Sequence, residues 1–167
     1  MKDRPNIQIS PGLSDKVFEL SGWLCVLAFW LLIVISYNKL PETIPIHFNL
    51  SGEADGFGDK TFILFLPLIA TLLFAALTRL NKFPHIFNYP VSITNENALM
   101  HYTNTTRFIR YYKVIIVLIF GLLAFMTIQH ANGTENGLQP WFFPITAALL
   151  FIPIIYFLIK STLKSGQ

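Results

Sequence analysis

The chain has 167 residues, of which 53% are hydrophobic and 13% charged, with a formal net charge of +3. A soluble domain is about a quarter charged, so this composition excludes an ordinary soluble fold and points to an integral membrane protein. The absence of any dense Lys/Arg run excludes a nucleic-acid-binding class, and the single Cys25 excludes an internal disulfide and a cysteine-based zinc site.

A bilayer core of about 30 Å needs about 20 mostly apolar residues in a helix. Four windows meet that need, at residues 18–37, 62–80, 113–129 and 141–159. The predicted fold is therefore an all-α integral membrane protein. It has four transmembrane helices and a short structured loop, 38–61, between the first two. The first window is followed by SYNKLPE, without a small-x-small cleavage pattern, and reads as an uncleaved span rather than a signal peptide. With the N-terminus inside, all but Lys39 and Lys60 of the 12 Lys and Arg residues fall on the inner side. The positive-inside rule then places both termini and the segment 81–112 in the cytoplasm, and the loop 38–61 outside.

Ionisable groups are scarce in the spans. Glu19, at the inner end of the first, reads as an interfacial carboxylate favoured in a helix's first turn. His130, at the outer end of the third, is expected to reach water. Ser21, Thr71, Thr78, Gly121, Thr127 and Thr146 read as helix-packing positions, and Pro67, Pro144 and Pro153 as candidate kinks. The spans thus read as a scaffold, and an ion or proton pump is disfavoured.

The outer loop, LPETIPIHFNLSGEADGFGDK, holds the densest polar cluster. Pro41 and Pro45 oppose helix. Residues 44–48 suit an extended segment, 49–52 a turn, and Gly56 and Gly58 unusual backbone angles. Asp59 or Thr61 is placed to cap the second span. Asn49, Glu53, Asp55 and Asp59 supply oxygens, but their spacing fails the EF-hand pattern, and His47 alone makes no zinc site. His47, Asp55 and Lys60 are types capable of acid–base work, yet no nucleophile pattern accompanies them. Neither a metal, a cofactor nor an enzymatic activity is expected.

The inner segment 81–112 opens with the helix breakers Pro84 and Pro90. Thr94 or Asn95 is placed to cap a helix starting near Glu96 and running into the third span. On that helix Tyr102, Phe108, Ile109 and Tyr112 share one side, and Thr103, Arg107 and Arg110 another. This reads either as an interfacial lead-in at the lipid headgroups or as a docking face for a cytoplasmic regulator, the latter through Asn88, Tyr89, Pro90, Arg107 and Arg110.

The pattern LP-x-x-IP-x-HFN-x-x-G-x-x-D-x-x-x-x-K, carried by Leu40, Pro41, Ile44, Pro45, His47, Phe48, Asn49, Gly52, Asp55 and Lys60, resembles a bacterial membrane domain of uncharacterised function. That domain stands at the N-terminus of SdpI-type immunity proteins. The resemblance covers roughly the first half of the chain. It implies a bacterial cytoplasmic-membrane protein in which Pro45, His47, Phe48, Asn49, Gly52, Asp55 and Lys60 matter. It also implies a non-enzymatic immunity or signalling role. SdpI-type proteins protect against a secreted toxin and can capture a transcriptional repressor. The corresponding partners are the lipid bilayer, an extracytoplasmic peptide or a cytoplasmic regulator. A small transporter or transporter accessory subunit is the alternative.

Overall fold

The computed structural model describes residues 4–134 and 137–163. Lys2 and Lys164, both counted in the charge asymmetry, lie outside the described residues. Among the described residues, four helices are long and apolar enough to cross a membrane: α1 (Leu13–Tyr37), α2 (Phe65–Leu80), extended at its start by a 3-10 turn from Lys60, α3 (Ala98–Ala131) and α4 (Phe142–Leu163). Between α1 and α2 lies an antiparallel hairpin of β1 (Thr43–Phe48) and β2 (Ala54–Asp59).

Local signals explain most boundaries. At the start of α1, Asp15 accepts the Gly12 N–H at 2.9 Å, so an acid sits where the helix dipole favours it. Pro67 and Pro144 fall in the first turns of α2 and α4, where a missing N–H costs little, and only Pro153 lies inside a helix. Asp59 caps the 3-10 turn, accepting the Thr61 N–H at 2.8 Å. That bond holds its carboxyl below the usual carboxylate range. The helix α3 starts at Ala98, two residues after Glu96, because Asn97 folds back to accept the Thr94 N–H at 2.9 Å. At 34 residues, α3 is about 51 Å long, well beyond what a bilayer core requires.

Helices α1, α2 and α3 form the central bundle. Val26, Phe29 and Ile33 of α1 pack with Ala70 and Phe74 of α2 and with Val117, Ala124 and Ile128 of α3. A side chain at Gly22 would place its Cβ 2.5 Å from the Phe74 ring, so glycine sets the α1–α2 approach. Trp30 donates its indole N–H to Thr71 Oγ1 at 3.0 Å, which satisfies a polar group inside the bundle. Helix α4 is peripheral. Only 6% of its apolar window is buried, against 22–28% for the others. It leans on α3 through the Phe157–Phe108 stack at 4.5 Å.

The inner segment is a second packed unit. Tyr89, Ala98 and Tyr102 are buried among Ile7, Ile9, Phe87 and Ile93. Tyr102 donates to the Pro5 carbonyl at 3.1 Å, and Arg4 to the carbonyls of His85 and Phe87. The lead-in to the third span is therefore walled by the N-terminal strand of chain, where the sequence suggested a face open to headgroups or a partner. Tyr89 donates to the Pro84 carbonyl at 2.9 Å. Burial pushes its phenol up from 10.0 to about 12. Below pH 10 that phenol is neutral in both folded and unfolded chains. Between pH 10 and about 12 only the unfolded chain ionises it, so stability falls as pH rises through that window. An absorbance titration should show one tyrosinate forming near pH 12 that Tyr89→Phe abolishes. Ionisation of Tyr89 at pH 10 would contradict the burial argument.

Candidate functional site

The outer loop is a complete hairpin. The sequence suggested an extended segment, a turn and a helix start, and so missed β2, whose ADGFGD carries little strand propensity. Its two glycines have a different use from the one expected. Neither has a positive φ. A Cβ at Gly56 would lie 2.9 Å from His47 Cβ, and one at Gly58 would lie 2.9 Å from Ile46 Cδ1. They are small so that β1 side chains can lie across β2.

The register runs from Thr43 opposite Asp59 to Phe48 opposite Ala54, with shifts on either side of His47. Pro45, which has no donor, stands opposite Phe57 as the last regular pair before the ladder shifts. The turn is built by Asn49. Its side-chain oxygen accepts the N–H groups of Ser51 and Glu53 at 2.9 and 3.0 Å. Gly52, at φ +86°, closes it. Lys60 pairs with Glu42 at 2.8 Å across the hairpin base and stands over the Tyr37 ring.

Of the residues singled out from sequence, His47 and Asp55 pair through Nδ1 and Oδ1 on the outer surface, with side chains 70% and 45% exposed. Such an exposed pair contributes little to stability. Pro45 and Gly52 are buried, and Phe48 packs edge-on to His130 at 6.1 Å between ring centres. Among the inner residues, Asn88, Pro90 and Arg107 are exposed. Tyr89 is buried, and Arg110, its side chain 11% exposed, is paired with Asp15 at 3.3 Å.

Beneath the hairpin lies an apolar cleft of about 490 Å³. Ile44, Pro45, Ile46, His47 and Phe48 of β1 form one wall. Phe62, Phe65 and Ile69 form the second, and Leu123, Thr127, Leu138 and Phe142 the third. The Thr127 hydroxyl donates to its own helix at Leu123 O, 2.9 Å away. Among the described residues, His47 is the one ionisable group on the lining. An arrangement of this kind binds an apolar body and orients it by a polar rim. Among the described residues, no group of three or more His, Cys, Asp or Glu side chains could hold a metal.

The third wall was not legible in the loop, because it comes from the second half of the chain. The hairpin tip is tied there. Gly52 O accepts the Leu138 N–H at 2.7 Å. A Cβ at Gly52 would lie 2.3 Å from Leu138 O, and one at Gly137 2.2 Å from Gly52 O. Both glycines have positive φ, +86° and +82°. Gly137, in the stretch GLQP before α4, was the available signal: turn glycines often mark close backbone approach.

A second polar cluster lies at the other end of the bundle. Lys113 of α3, with no exposed side-chain surface, reaches Glu19 of α1 at 2.6 Å. It also donates to the Thr78 hydroxyl, which in turn donates to Glu19 at 3.0 Å. Its Nζ stands 4.1 Å from the Phe74 ring centre. Buried Asp15 pairs with Arg110 at 3.3 Å and Arg107 at 3.4 Å. The expected lone interfacial carboxylate is instead one member of a network linking α1, α2 and α3. Residues 94 apart in sequence carry no local sign of meeting.

Residues 23–71 match a domain of unknown function, DUF1648, a stretch that takes in most of α1, the hairpin and the start of α2. Over 178 aligned residues, the chain is 28% identical to an uncharacterized protein of Archaeoglobus fulgidus, with 97% of this chain and 96% of that protein covered. No solved structure matches. The chain is thus a multi-pass membrane protein of four apolar helices, similar over nearly its whole length to an archaeal protein that is itself uncharacterised.

Proposed function

We propose that this chain is a non-enzymatic receptor-like membrane protein of immunity or signalling type. In this reading the hairpin faces the outside, and the cleft beneath it receives an apolar segment of an extracytoplasmic peptide. One observation carries the proposal: Pro45, His47 and Phe48 of the HFN-containing motif form a wall of a 490 Å³ apolar cleft that the second half of the chain completes. His47 and Asp55 supply a polar rim at which a peptide backbone finds hydrogen-bonding partners. The exposed Asn88 and Pro90 are the corresponding place for a cytoplasmic regulator, by analogy with SdpI-type proteins alone.

The test is self-protection. Cells lacking the protein should grow poorly in concentrated culture supernatant of their own parent strain. The wild-type gene should restore growth, and Leu123→Trp, which fills the cleft, should not. Equal growth of the deletion strain overturns the immunity reading.

The alternative, a small transporter or transporter accessory subunit, draws on the buried Lys113–Glu19 pair, since charges between membrane helices often mark substrate or ion paths. It requires proton flux in proteoliposomes that Glu19→Gln abolishes. Proteoliposomes as tight as protein-free ones count against proton coupling.

A further inference from the structure

At the end of the bundle opposite the hairpin, a separate cleft of about 360 Å³ opens between α3 and α4. Its composition changes with depth. Asn104, Arg107 and Lys160 stand toward the helix ends, while Phe108, Ile115 and Pro153 lie further along the span. From Lys160 to Pro153 is about 10 Å along α4, at 1.5 Å per residue. The headgroup region of one leaflet is about 5–8 Å thick, so this distance is enough to pass from headgroups into hydrocarbon.

The charge is one-sided. Among the described residues, no Asp or Glu lines the cleft. Arg107 touches Asp15 through Nε at 3.4 Å, and Asp15 is shared with Arg110, so one carboxylate faces two guanidinium groups. Lys160 meets the Tyr156 hydroxyl at 3.4 Å and remains exposed. The cleft mouth is therefore a cationic pair above an aromatic slot. Its outer wall, α4, exposes Ile152, Ile155 and Ile159 as a lipid-facing helix does.

We propose that this cleft binds an anionic phospholipid of the surrounding bilayer. Its phosphate lies between Arg107 and Lys160, and its upper acyl chain runs along Phe108, Ile115 and Pro153. Basic pockets between membrane helices recognise anionic headgroups in this way. A peptide occupant is disfavoured because the slot lies between two helices long and apolar enough to cross a membrane, where an unpaired backbone is costly. The site is distinct from the hairpin cleft and does not depend on its proposed role.

Native mass spectrometry of the detergent-solubilised chain tests this, with phosphatidylglycerol and phosphatidylcholine of matched acyl chains offered together. The wild type should retain phosphatidylglycerol more than fivefold over phosphatidylcholine, since each basic side chain at a membrane surface contributes a factor of about five. Lys160→Gln, which leaves Arg107 in place, should lower that ratio about fivefold, and Ile115→Trp, which fills the slot from α3, should lower retention of both lipids. Lys82→Gln, a basic residue outside the cleft, should leave the ratio unchanged. Equal wild-type retention of the two lipids overturns the proposal, as does an undiminished preference in Lys160→Gln. Displacement of the lipid by millimolar glycerol phosphate would instead identify a soluble phosphate as the occupant and would also overturn it.

Discussion

Glu19→Leu should lower stability by about 3–5 kcal/mol, the usual cost of stranding one member of a buried ion pair. The substitution leaves the Lys113 ammonium with no exposed surface and without its carboxylate at 2.6 Å. Thr78 and the Phe74 ring remain beside it, but neither carries a compensating charge. The reverse change is expected to cost less, about 1–3 kcal/mol by loss of hydrogen bonds to a charged group. Lys113→Met leaves Glu19 29% exposed, able to recruit water, and 4.0 Å from Arg110. The double variant Glu19→Leu/Lys113→Met should recover much of the larger loss, since an apolar pair of similar volume often matches a buried ion pair. Reversible unfolding in mixed micelles measures all three. Equal losses for the two single variants, adding without recovery in the double, would show that Lys113 and Glu19 are not coupled.

The glycines of the loop contact give the second large effect. Gly137→Ala should cost about 2–4 kcal/mol, combining left-handed backbone strain with a lost backbone hydrogen bond and displaced packing. The added Cβ would stand 2.2 Å from Gly52 O, and backbone cannot swing aside as a side-chain end can. Gly133→Ala is the control. Gly133 also has positive φ, +72°, but nothing lies within 4 Å of its Cβ position. It should lose only the strain, about 1 kcal/mol. The Leu138 amide reports the mechanism directly. Its bond to Gly52 O should protect it from hydrogen exchange in the wild type and in Gly133→Ala, but not in Gly137→Ala. Equal destabilisation by the two substitutions would mean that the hairpin does not depend on this dock. The cleft beneath would then lose its third wall as a fixed feature.

Local sequence carried the secondary structure because the signals there are local. Apolar length announced the four helices, and the turn chemistry of Asn49 and Gly52 announced the hairpin tip. Its second strand escaped notice because β2 pairs through backbone while its residues, ADGFGD, look like loop. The inner docking face was read from the extended stretch at Asn88, Tyr89 and Pro90 together with Arg107 and Arg110 on a helical wheel. A wheel shows which residues share a side but not what is packed against it, and Tyr89 and Arg110 are turned inward on partners elsewhere in the chain.

The sequence alone determined that the protein offers four helices suited to a bilayer and where the polar loop between the first two folds back. Hydrophobic length and turn-forming residues act over a few neighbours, so a linear reading finds them. Only the tertiary structure decided that Lys113 meets Glu19, that the hairpin tip rests on Gly137–Leu138, and that two halves of the chain enclose one apolar cleft. Those pairings join segments far apart in the chain. They depend on the order and approach of the packed helices, which no short window of residues encodes.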